Sequence, residues 1–449
     1  MKGRIVDVSD PDSFANGFPH EFFRELREKE PVFWHEGDIH GGPGYWIISK
    51  HDDVCWVSKN PGLFVSGLGN QIEDPLPGQL DLVRSMITMD PPDQARHRKL
   101  VSRGFTPSTI SKMEATTRAR VVSILDAVVS AGACDFVLDI AAELPLQVIA
   151  DLLGVPQEDR HQIFDWSNQM LGAEDSDYAV EAPGDGDVLA ANLDSAVADD
   201  LVKIIDPEVS ARLNAGIAAD PTSTQAKTMA AGAKMFEYSI KLARDRLENP
   251  EDDLVSDLLR GEIDGEKLDM MEFASFFILL AIAGNETTRN LISHGLLLLL
   301  EHPDQLAALR KDPSLIPGAV EEMLRFRPTV MYFRRTATQD CEIRGVKIGE
   351  GDKVTLWYPS ANRDEDVFDD PDRFDIRRHP NEHVAFGYGQ HFCLGASLAR
   401  MEIRVMFEEL LARFDDIAHD GDVKLLRSHF IDGIKSIPIQ FKASSEQAQ

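Results

Sequence analysis

The chain has 449 residues, 43% of them hydrophobic, which is enough to bury a large core. Its formal net charge of −30, from 76 acidic against 46 basic residues, argues against nucleic acid and anionic membrane surfaces as partners. The 4 cysteines include no Cys-x-x-Cys pair, which argues against a disulfide framework or a zinc site and favours a reducing compartment, the cytoplasm.

The N-terminal region combines a helical pattern with two strand-like runs. Residues 1–7 include the acidic Asp7 and contain no apolar stretch, so we expect neither a secretory signal nor a membrane anchor. Helical periodicity covers residues 19–30. Apolar runs at 32–34 and 45–48 then predict short strands, followed by a further helix-like stretch.

Helical patterns predominate from about residue 92 onward. Amphipathic or apolar periodicity predicts helices at residues 107–131, 139–154, 157–171, 228–248 and 268–301. Strand patterns return near the C-terminus, at residues 341–343, 353–357 and 437–441. The predicted fold class is therefore mainly α with small β-sheets.

The most apolar stretch, residues 273–300, is interrupted by polar side chains at Asn285, Glu286, Arg289 and Asn290. These side chains make it too polar for a lipid-facing span. We predict a long core helix there.

Residues 174–220 carry far more acidic than basic side chains and include the run Gly184-Asp185-Gly186-Asp187. A segment of this composition buries too little apolar surface to order itself. We predict a solvated, partly mobile surface insertion. A lid over a substrate is the alternative.

The most informative segment runs from Phe386 to Gly395 and places Cys393 in a loop with three glycines, just before a helix. Glycines let the backbone turn tightly and approach a flat ligand, and Phe386 can lie against that ligand. A cysteine thiolate suits a haem iron and favours O–O cleavage. A lone cysteine is more often an inert core residue, but the spacing Phe-x-x-Gly-x-x-x-Cys-x-Gly argues against that alternative.

This segment resembles the haem-binding loop of the cytochrome P-450 monooxygenases, and the resemblance extends over most of the chain. It implies a cytochrome P-450 fold, a helical body with a long central helix over haem. Residues 1–449 would form a single domain, with 174–220 as an acidic insertion within it. Cys393 would be the axial ligand of the iron of haem b, with Phe386 and Gly395 beside the cofactor.

A second motif, from Ala283 to Thr288, interrupts the long apolar helix with small residues, an acid and hydroxyls. Small residues leave room beside a cofactor, and Glu286 offers a carboxylate for proton transfer. A buried polar cluster with a purely structural role is the alternative. The resemblance implies that Ala283 lies beside haem and that Glu286 and Thr287 deliver protons during oxygen activation.

Glu322 and Arg325 are three residues apart on a predicted helix and therefore face the same side. In cytochromes P-450 a Glu-x-x-Arg pair of this kind is buried and joined by a second arginine, which the resemblance assigns to Arg373. The triad would be structural and would hold the cysteine loop in place.

Haem propionates need cations or other donors, and arginine suits carboxylates. The resemblance implies that Arg98, Arg335 and His391 bind the propionates. Gln94 stands where many relatives have histidine, and glutamine can still donate a hydrogen bond. We expect the neighbouring His97 at the surface.

Arg96, Lys99, Arg103, Arg400 and Arg404 are basic positions in an acidic chain. Because matching helices flank the thiolate side of haem in relatives, we expect a docking surface for an acidic iron–sulfur ferredoxin. Electrons would come from NAD(P)H through this ferredoxin and a ferredoxin reductase. Surface solvation alone is the alternative.

The substrate cavity is expected to be apolar, with Leu280, Val330, Tyr332 and Ile431 among its lining residues, and to take a hydrophobic small molecule. The resemblance is most specific in three segments, residues 283–290, 356–364 and 429–435. These segments resemble bacterial enzymes that hydroxylate steroid side chains and methyl-branched lipids. Terpene hydroxylation is the alternative for the substrate.

The expected reaction inserts one oxygen atom from O2 into a C–H bond. A peroxygenase that uses hydrogen peroxide directly is a further alternative, but the Glu286–Thr287 pair favours the O2 route. A haem-based sensor is a third alternative, for which the sequence offers no regulatory domain.

Overall fold

The computed structural model describes residues 6–37, 42–75, 80, 84–172, 174–175, 177, 224–262 and 267–444. The side chains of Arg103 and of residues 224–227 lie outside this description. Apart from three positions, so does the predicted acidic insertion at residues 174–220.

Helices make up most of the described structure. The α-helices are α1 (His20–Lys29), α2 (His51–Lys59), α3 (Asp93–Val101), α4 (Pro107–Val129), α5 (Glu143–Leu153), α6 (Arg160–Leu171), α7 (Thr224–Glu248), α8 (Leu254–Arg260), α9 (Met270–Glu301), α10 (Pro303–Lys311), α11 (Ile316–Phe326), α12 (Tyr358–Ala361) and α13 (Ala396–Arg413). Short 3-10 helices lie at Pro11–Phe14, Ser102–Phe105, Gln157–Asp159, Pro313–Leu315 and Gly389–His391, and a π-helix at Phe136–Ala141.

Twelve short strands are present in the described residues. They are β1 (Val32–His35), β2 (Tyr45–Ile48), β3 (Phe64–Val65), β4 (Ala133–Asp135), β5 (Tyr332–Ala337), β6 (Cys341–Ile343), β7 (Val346–Ile348), β8 (Lys353–Trp357), β9 (Phe414–His419), β10 (Lys424–Leu425), β11 (Ile434–Ser436) and β12 (Pro438–Ala443). The predicted helices and strands are confirmed, with boundaries shifted by up to four residues.

The chain divides into two compact units. Unit 1 contains Met1–Phe64, Phe105–Pro145 and Thr287–Gln449, and unit 2 contains Val65–Gly104 and Leu146–Glu286. The boundary falls inside α9, so the two halves of this helix belong to different units.

The largest sheet has the strand order β1-β2-β8-β5-β3. Its central strand β8 pairs in parallel with β2 and antiparallel with β5, which places Tyr332 opposite Trp357 and Arg335 opposite Val354. The Trp357 ring packs against Phe23 and Tyr332, with ring centroids 4.9 and 4.7 Å away. This aromatic cluster anchors the N-terminal segment of unit 1 to the sheet.

The helices of unit 1 pack closely enough to require glycine at one crossing. A Cβ at Gly295 of α9 would lie 2.7 Å from the ring of Phe407 on α13 and 2.8 Å from the sulfur of Met323 on α11. Arg118 of α4 also forms ion pairs with Glu408 and Glu409 of α13, at 2.5 and 2.7 Å. These contacts fix the position of α13, the helix that follows Cys393.

Unit 2 is built from α3, most of α5, α6, α7, α8 and the first half of α9. Gly284 of α9 allows a close approach to α5, because a Cβ there would lie 2.9 Å from Cδ1 of Ile149. Arg246 of α7 donates to Asp253 at the start of α8 at 2.7 Å and to the Gly154 carbonyl at 2.8 Å. These hydrogen bonds join α7 to the segments that follow α5 and precede α8.

Helix α9 is also long and apolar enough to cross a membrane by length and composition, but 56% of its apolar window is buried inside the protein. The prediction of a long core helix at residues 268–301 agrees with this burial.

Candidate active site

The cysteine loop is shaped by glycines and closed by a backbone hydrogen bond. Gly387 and Gly389 adopt φ angles of +71° and +68°, a region that other residues rarely occupy. A Cβ at Gly389 would also lie 2.5 Å from the carbonyl oxygen of Ser58. The Cys393 N–H donates to the Phe386 carbonyl at 2.9 Å, which closes the loop and leaves the thiol half-buried.

Glu322 is the centre of a buried ionic cluster in the segment that leads to this loop. Arg325 donates two hydrogen bonds to its carboxylate, each 2.8 Å long, and both side chains are fully buried. The Asp375 N–H and the Asn381 side-chain amide also donate to Glu322, at 2.9 and 3.1 Å. The predicted Glu322–Arg325 pair is therefore confirmed, and it ties α11 to residues 375–381.

The second arginine of this cluster is Arg378, and the prediction of Arg373 is wrong. Arg378 Nε lies 3.2 Å from Glu322 Oε2, and its side chain is 10% exposed. The Arg373 side chain is 63% exposed and approaches only Asp375, at 3.9 Å, among the ion pairs of the described residues. Arg373 contributes its carbonyl instead, which accepts hydrogen bonds from Arg325 and Arg378.

Arg335 lies on β5 and is almost completely buried. Its Nη1 donates to the Arg334 carbonyl at 2.8 Å, and the strand places it on the same face as Phe333. His391, at the end of the 3-10 helix before Cys393, is half-buried. Arg335, His391 and the cysteine loop all belong to unit 1.

The middle of α9 exposes one small residue on a buried helix. Ala283 is the only exposed residue between Phe273 and Leu299, and Thr287, one turn later, is half-buried. Glu286 is buried, and its Oε1 lies 3.5 Å from the Asn285 amide nitrogen. Thr329 donates to the Thr287 carbonyl at 3.2 Å, so this turn is hydrogen-bonded from outside the helix.

Helix α3 of unit 2 carries Gln94 and Arg98, which are four residues apart and face the same side. Gln94 is buried and Arg98 is half-buried. His97 is buried as well, so its predicted surface position is wrong. Its Nε2 lies 3.1 Å from Glu272 and its Nδ1 lies 2.9 Å from the Asp93 carbonyl, which fixes the imidazole in place.

Three of the four residues predicted to line the substrate cavity remain candidates. Leu280 and Ile431 are buried, and Val330 is half-buried in a β-bridge with Ile431. The prediction of Tyr332 is wrong, because its side chain has no accessible surface and its ring packs against Trp357. Tyr332 differs in this respect from Leu280, which keeps 8% of its accessible surface, and from Ile431, which keeps 2%.

The expected ferredoxin-docking arginines of α13 are already paired within unit 1. Arg400 donates to Glu321 at 2.7 and 2.8 Å, and Arg404 donates to Glu114 and Glu408 at 2.7 and 2.9 Å. These acids offset much of the positive charge that the sequence offers a partner. In unit 2, Lys99 is exposed.

A sequence profile of the family described as cytochrome P-450 matches residues 201–441, more than half of the chain. The chain belongs to the cytochrome P-450 family. This membership confirms the predicted fold class and the predicted class of enzyme, a cytochrome P-450 monooxygenase.

Individual relatives agree with this assignment over nearly the whole chain. A methyl-branched lipid omega-hydroxylase of Mycobacterium tuberculosis is 41% identical over 426 residues, which cover 93% of this chain and 90% of the relative. A steroid C26-monooxygenase of Rhodococcus jostii is 39% identical over 450 residues, which cover 98% of this chain and 85% of the relative. A solved Mycobacterium marinum cytochrome P-450 in complex with pseudoionone is 34% identical, with a TM-score of 0.83 over 98% of this chain and 99% of the other.

Family membership implies haem, and the residues of this cytochrome P-450 fit such a cofactor. Cys393 has a half-buried thiol, and Arg335 has a buried guanidinium group, a type of group that suits carboxylates. A Cβ at Gly395 would meet nothing within 4 Å, so open space adjoins the backbone just after Cys393. In unit 2, Ala283 is exposed in the middle of α9.

Sequence reasoning missed Arg378, Glu321 and His383. Arg378 and His383 lie in an irregular segment, which has no periodicity that predicts which side chain turns inward. Glu321 lies on α11 next to Glu322, and its partners come from other segments of the chain. Charge within the 371–383 segment was the available signal, and it did not distinguish Arg373 from Arg378.

Proposed function

We propose that this cytochrome P-450 hydroxylates a steroid or a methyl-branched lipid at a C–H bond, with one oxygen atom from O2. The observation that carries the proposal is the identity of about two residues in five with relatives of both activities, over 93% and 98% of the chain. The apolar side chains of Leu280 in unit 2 and of Val330 and Ile431 in unit 1 would suit a hydrophobic substrate, because apolar side chains bind by shape and make few directional contacts.

Haem b, held through Cys393, would supply the chemistry of reducing and cleaving O2. Phe386 would lie beside the cofactor, and Gly395 would let the backbone approach it. Arg335 and His391 would bind propionates, as would Gln94 and Arg98 of α3. The burial of Arg335 supports its part in this assignment, because a cation removed from water gains most from a carboxylate partner.

Glu286 and Thr287 would control protons during oxygen activation. The Glu286 carboxyl group is buried in unit 2, and Thr287 follows it on the same helix with its carbonyl held by Thr329. A buried carboxyl group can exchange protons with bound water, and the Thr287 hydroxyl can pass a hydrogen bond onward. The two side chains would deliver protons during oxygen activation.

Electrons would come from NAD(P)H through an iron–sulfur ferredoxin and its reductase. Cytochrome P-450 monooxygenases need a redox partner, and the net charge of −30 makes local basic positions such as Lys99 the places where an acidic ferredoxin could dock. The internal pairing of Arg400 and Arg404 gives these two residues a smaller share in docking than the sequence suggests.

An optical titration of the purified ferric protein tests the substrate class. A steroid 3-ketone, a methyl-branched fatty acid and a monoterpene would each be added while the spin state of the iron is followed. We expect a saturable shift from low to high spin with the steroid or the branched acid. A shift with the monoterpene alone would instead support terpene hydroxylation.

A further inference from the structure

Arg400, on the helix α13 that follows the cysteine loop, makes two kinds of contact. Its Nε and Nη2 donate to the two oxygens of Glu321, at 2.7 and 2.8 Å, in a bidentate ion pair. Its guanidinium carbon also lies 4.6 Å from the centroid of the Phe386 ring, in cation–π geometry. One side chain thus joins α11 to the aromatic residue that begins the cysteine loop.

Glu321 receives a third hydrogen bond, from His383. The Nδ1 of His383 accepts from the Ala385 N–H at 3.2 Å, so its Nε2 carries the proton that is donated to Glu321 at 3.2 Å. Burial raises the pKa of Glu321, but the hydrogen bonds from His383 and Arg400 outweigh burial and lower the pKa to about 2. The Glu321–Arg400 pair is therefore fully charged at neutral pH.

Phe386 connects this pair to Cys393. The Phe386 carbonyl accepts the hydrogen bond from the Cys393 N–H that closes the loop. An aromatic ring has two faces, and Arg400 covers one face of Phe386. His383 and Phe392 flank the same ring, with centroids 6.2 and 6.3 Å away. Arg400, which is paired with Glu321, therefore packs on the same residue whose carbonyl accepts from the Cys393 N–H.

We propose that Glu321 and Arg400 are positioning residues of the haem site: they hold Phe386 and the Cys393 loop, and their balanced charges set the reduction potential of the iron. The inference rests on the proposed binding of haem by Cys393. It gives Arg400 a different role from that of a docking cation for ferredoxin.

The charge balance predicts effects of opposite sign. Reduction of the ferric iron adds one negative charge to the site, so a nearby positive charge favours the reduced state and a nearby negative charge disfavours it. Arg400→Gln leaves the Glu321 carboxylate without its counter-charge and should lower the reduction potential. Glu321→Gln leaves the Arg400 cation without its counter-charge and should raise it.

Arg404 provides a matched control. It lies one turn further along α13 and is also ion-paired, with Glu114 and Glu408, but no aromatic contact with the cysteine loop is among its described interactions. Arg404→Gln removes the same charge from the same helix. If Arg400 and Arg404 were both docking cations only, their variants would change the Michaelis constant for the electron donor and leave the reduction potential unchanged.

The test is a spectroelectrochemical titration of the haem-loaded protein, which measures the potential without any electron-transfer partner. We expect a lowered potential in Arg400→Gln, a raised potential in Glu321→Gln, and a potential near that of the wild type in the double variant and in Arg404→Gln. If Arg400→Gln does not retain haem, Arg400→Lys takes its place and should keep the wild-type potential, while Glu321→Gln still raises it.

Equal potentials in wild type, Glu321→Gln and Arg400→Gln, or shifts in the same direction, would overturn the inference alone. The absorption spectrum of the reduced wild-type protein with carbon monoxide separates this failure from that of the proposed function. A spectrum without the signature of thiolate ligation in the wild type would overturn both.

Discussion

Arg373 and Arg378 lie five residues apart in one loop, yet only Arg378 reaches the Glu322 carboxylate. The difference is one of burial: the Arg378 side chain is 10% exposed, whereas that of Arg373 is 63% exposed. Arg378 also donates to three backbone carbonyls, those of Asp369, Asp370 and Arg373, so it fixes the loop path as well as the charge. Two arginines of the same loop thus differ in both burial and hydrogen-bond partners.

Replacement of these two arginines tests the corrected triad. Arg378→Gln should lower the free energy of unfolding by about 1–3 kcal/mol, because it removes hydrogen bonds to a buried carboxylate. Arg373→Gln should change it by less than about 0.5 kcal/mol, as expected for an exposed side chain. Urea unfolding of both variants measures the difference, and an equal loss in both would restore Arg373 to the triad.

The proposed proton role of Thr287 is tested by the amount of product formed per NAD(P)H consumed. Thr287→Ala removes the hydroxyl that would pass protons onward, so NAD(P)H consumption should continue while product falls and hydrogen peroxide rises. Thr287→Ser keeps the hydroxyl and should retain most of the coupling. Peroxide and product are measured per NAD(P)H consumed. Full coupling in Thr287→Ala would contradict the proton role.

At the level of secondary-structure elements, α9 packs closely against α11 and against α13, the helix that follows the cysteine loop. Gly295 lets α9 approach both helices, since any Cβ there would collide with Phe407 and Met323. The same two helices carry the acids and the arginine that hold the loop, namely Glu321 and Glu322 on α11 and Arg400 on α13. Helix packing in unit 1 therefore positions the loop before any cofactor contact is made.

The close packing around Gly295 predicts that a methyl group added at this position destabilises the protein. Gly295→Ala should lower the free energy of unfolding by about 1–3 kcal/mol, because a packed core has no room for the methyl group. Gly62 is the control, since a Cβ there would meet nothing within 4 Å. Gly62→Ala should therefore be nearly neutral. Thermal unfolding of both variants measures the contrast, and equal stability would show that α9 can shift freely.

Element positions were largely predictable from the sequence, whereas side-chain partners in loops were not. The periodicity of residues 268–301 and the strand pattern of 353–357 agree with α9 and β8, because helices and strands impose fixed repeats on apolar residues. Loop residues follow no repeat, so neither Arg378 nor His383 was identified. The burial of Tyr332 was also missed, because alternation along a strand does not tell which face meets the cavity.

For the molecule as a whole, the sequence comparisons and the structure agree on one family. The division into two compact units falls within α9, between Glu286 and Thr287, the two residues proposed to act on protons. We continue to propose that the chain works as a single cytochrome P-450 domain, since its relatives match it over 93% and 98% of its length.

Tracing the oxygen atom tests the proposed monooxygenase reaction itself. The haem-loaded protein would be supplied with electrons, isotopically labelled O2 and the compound that shifts its spin state, and the product would be analysed by mass spectrometry. We predict a hydroxylated product that carries one labelled oxygen atom and is absent with Cys393→Ser. A product oxygen derived from water, or equal product with Cys393→Ser, would contradict the proposed reaction.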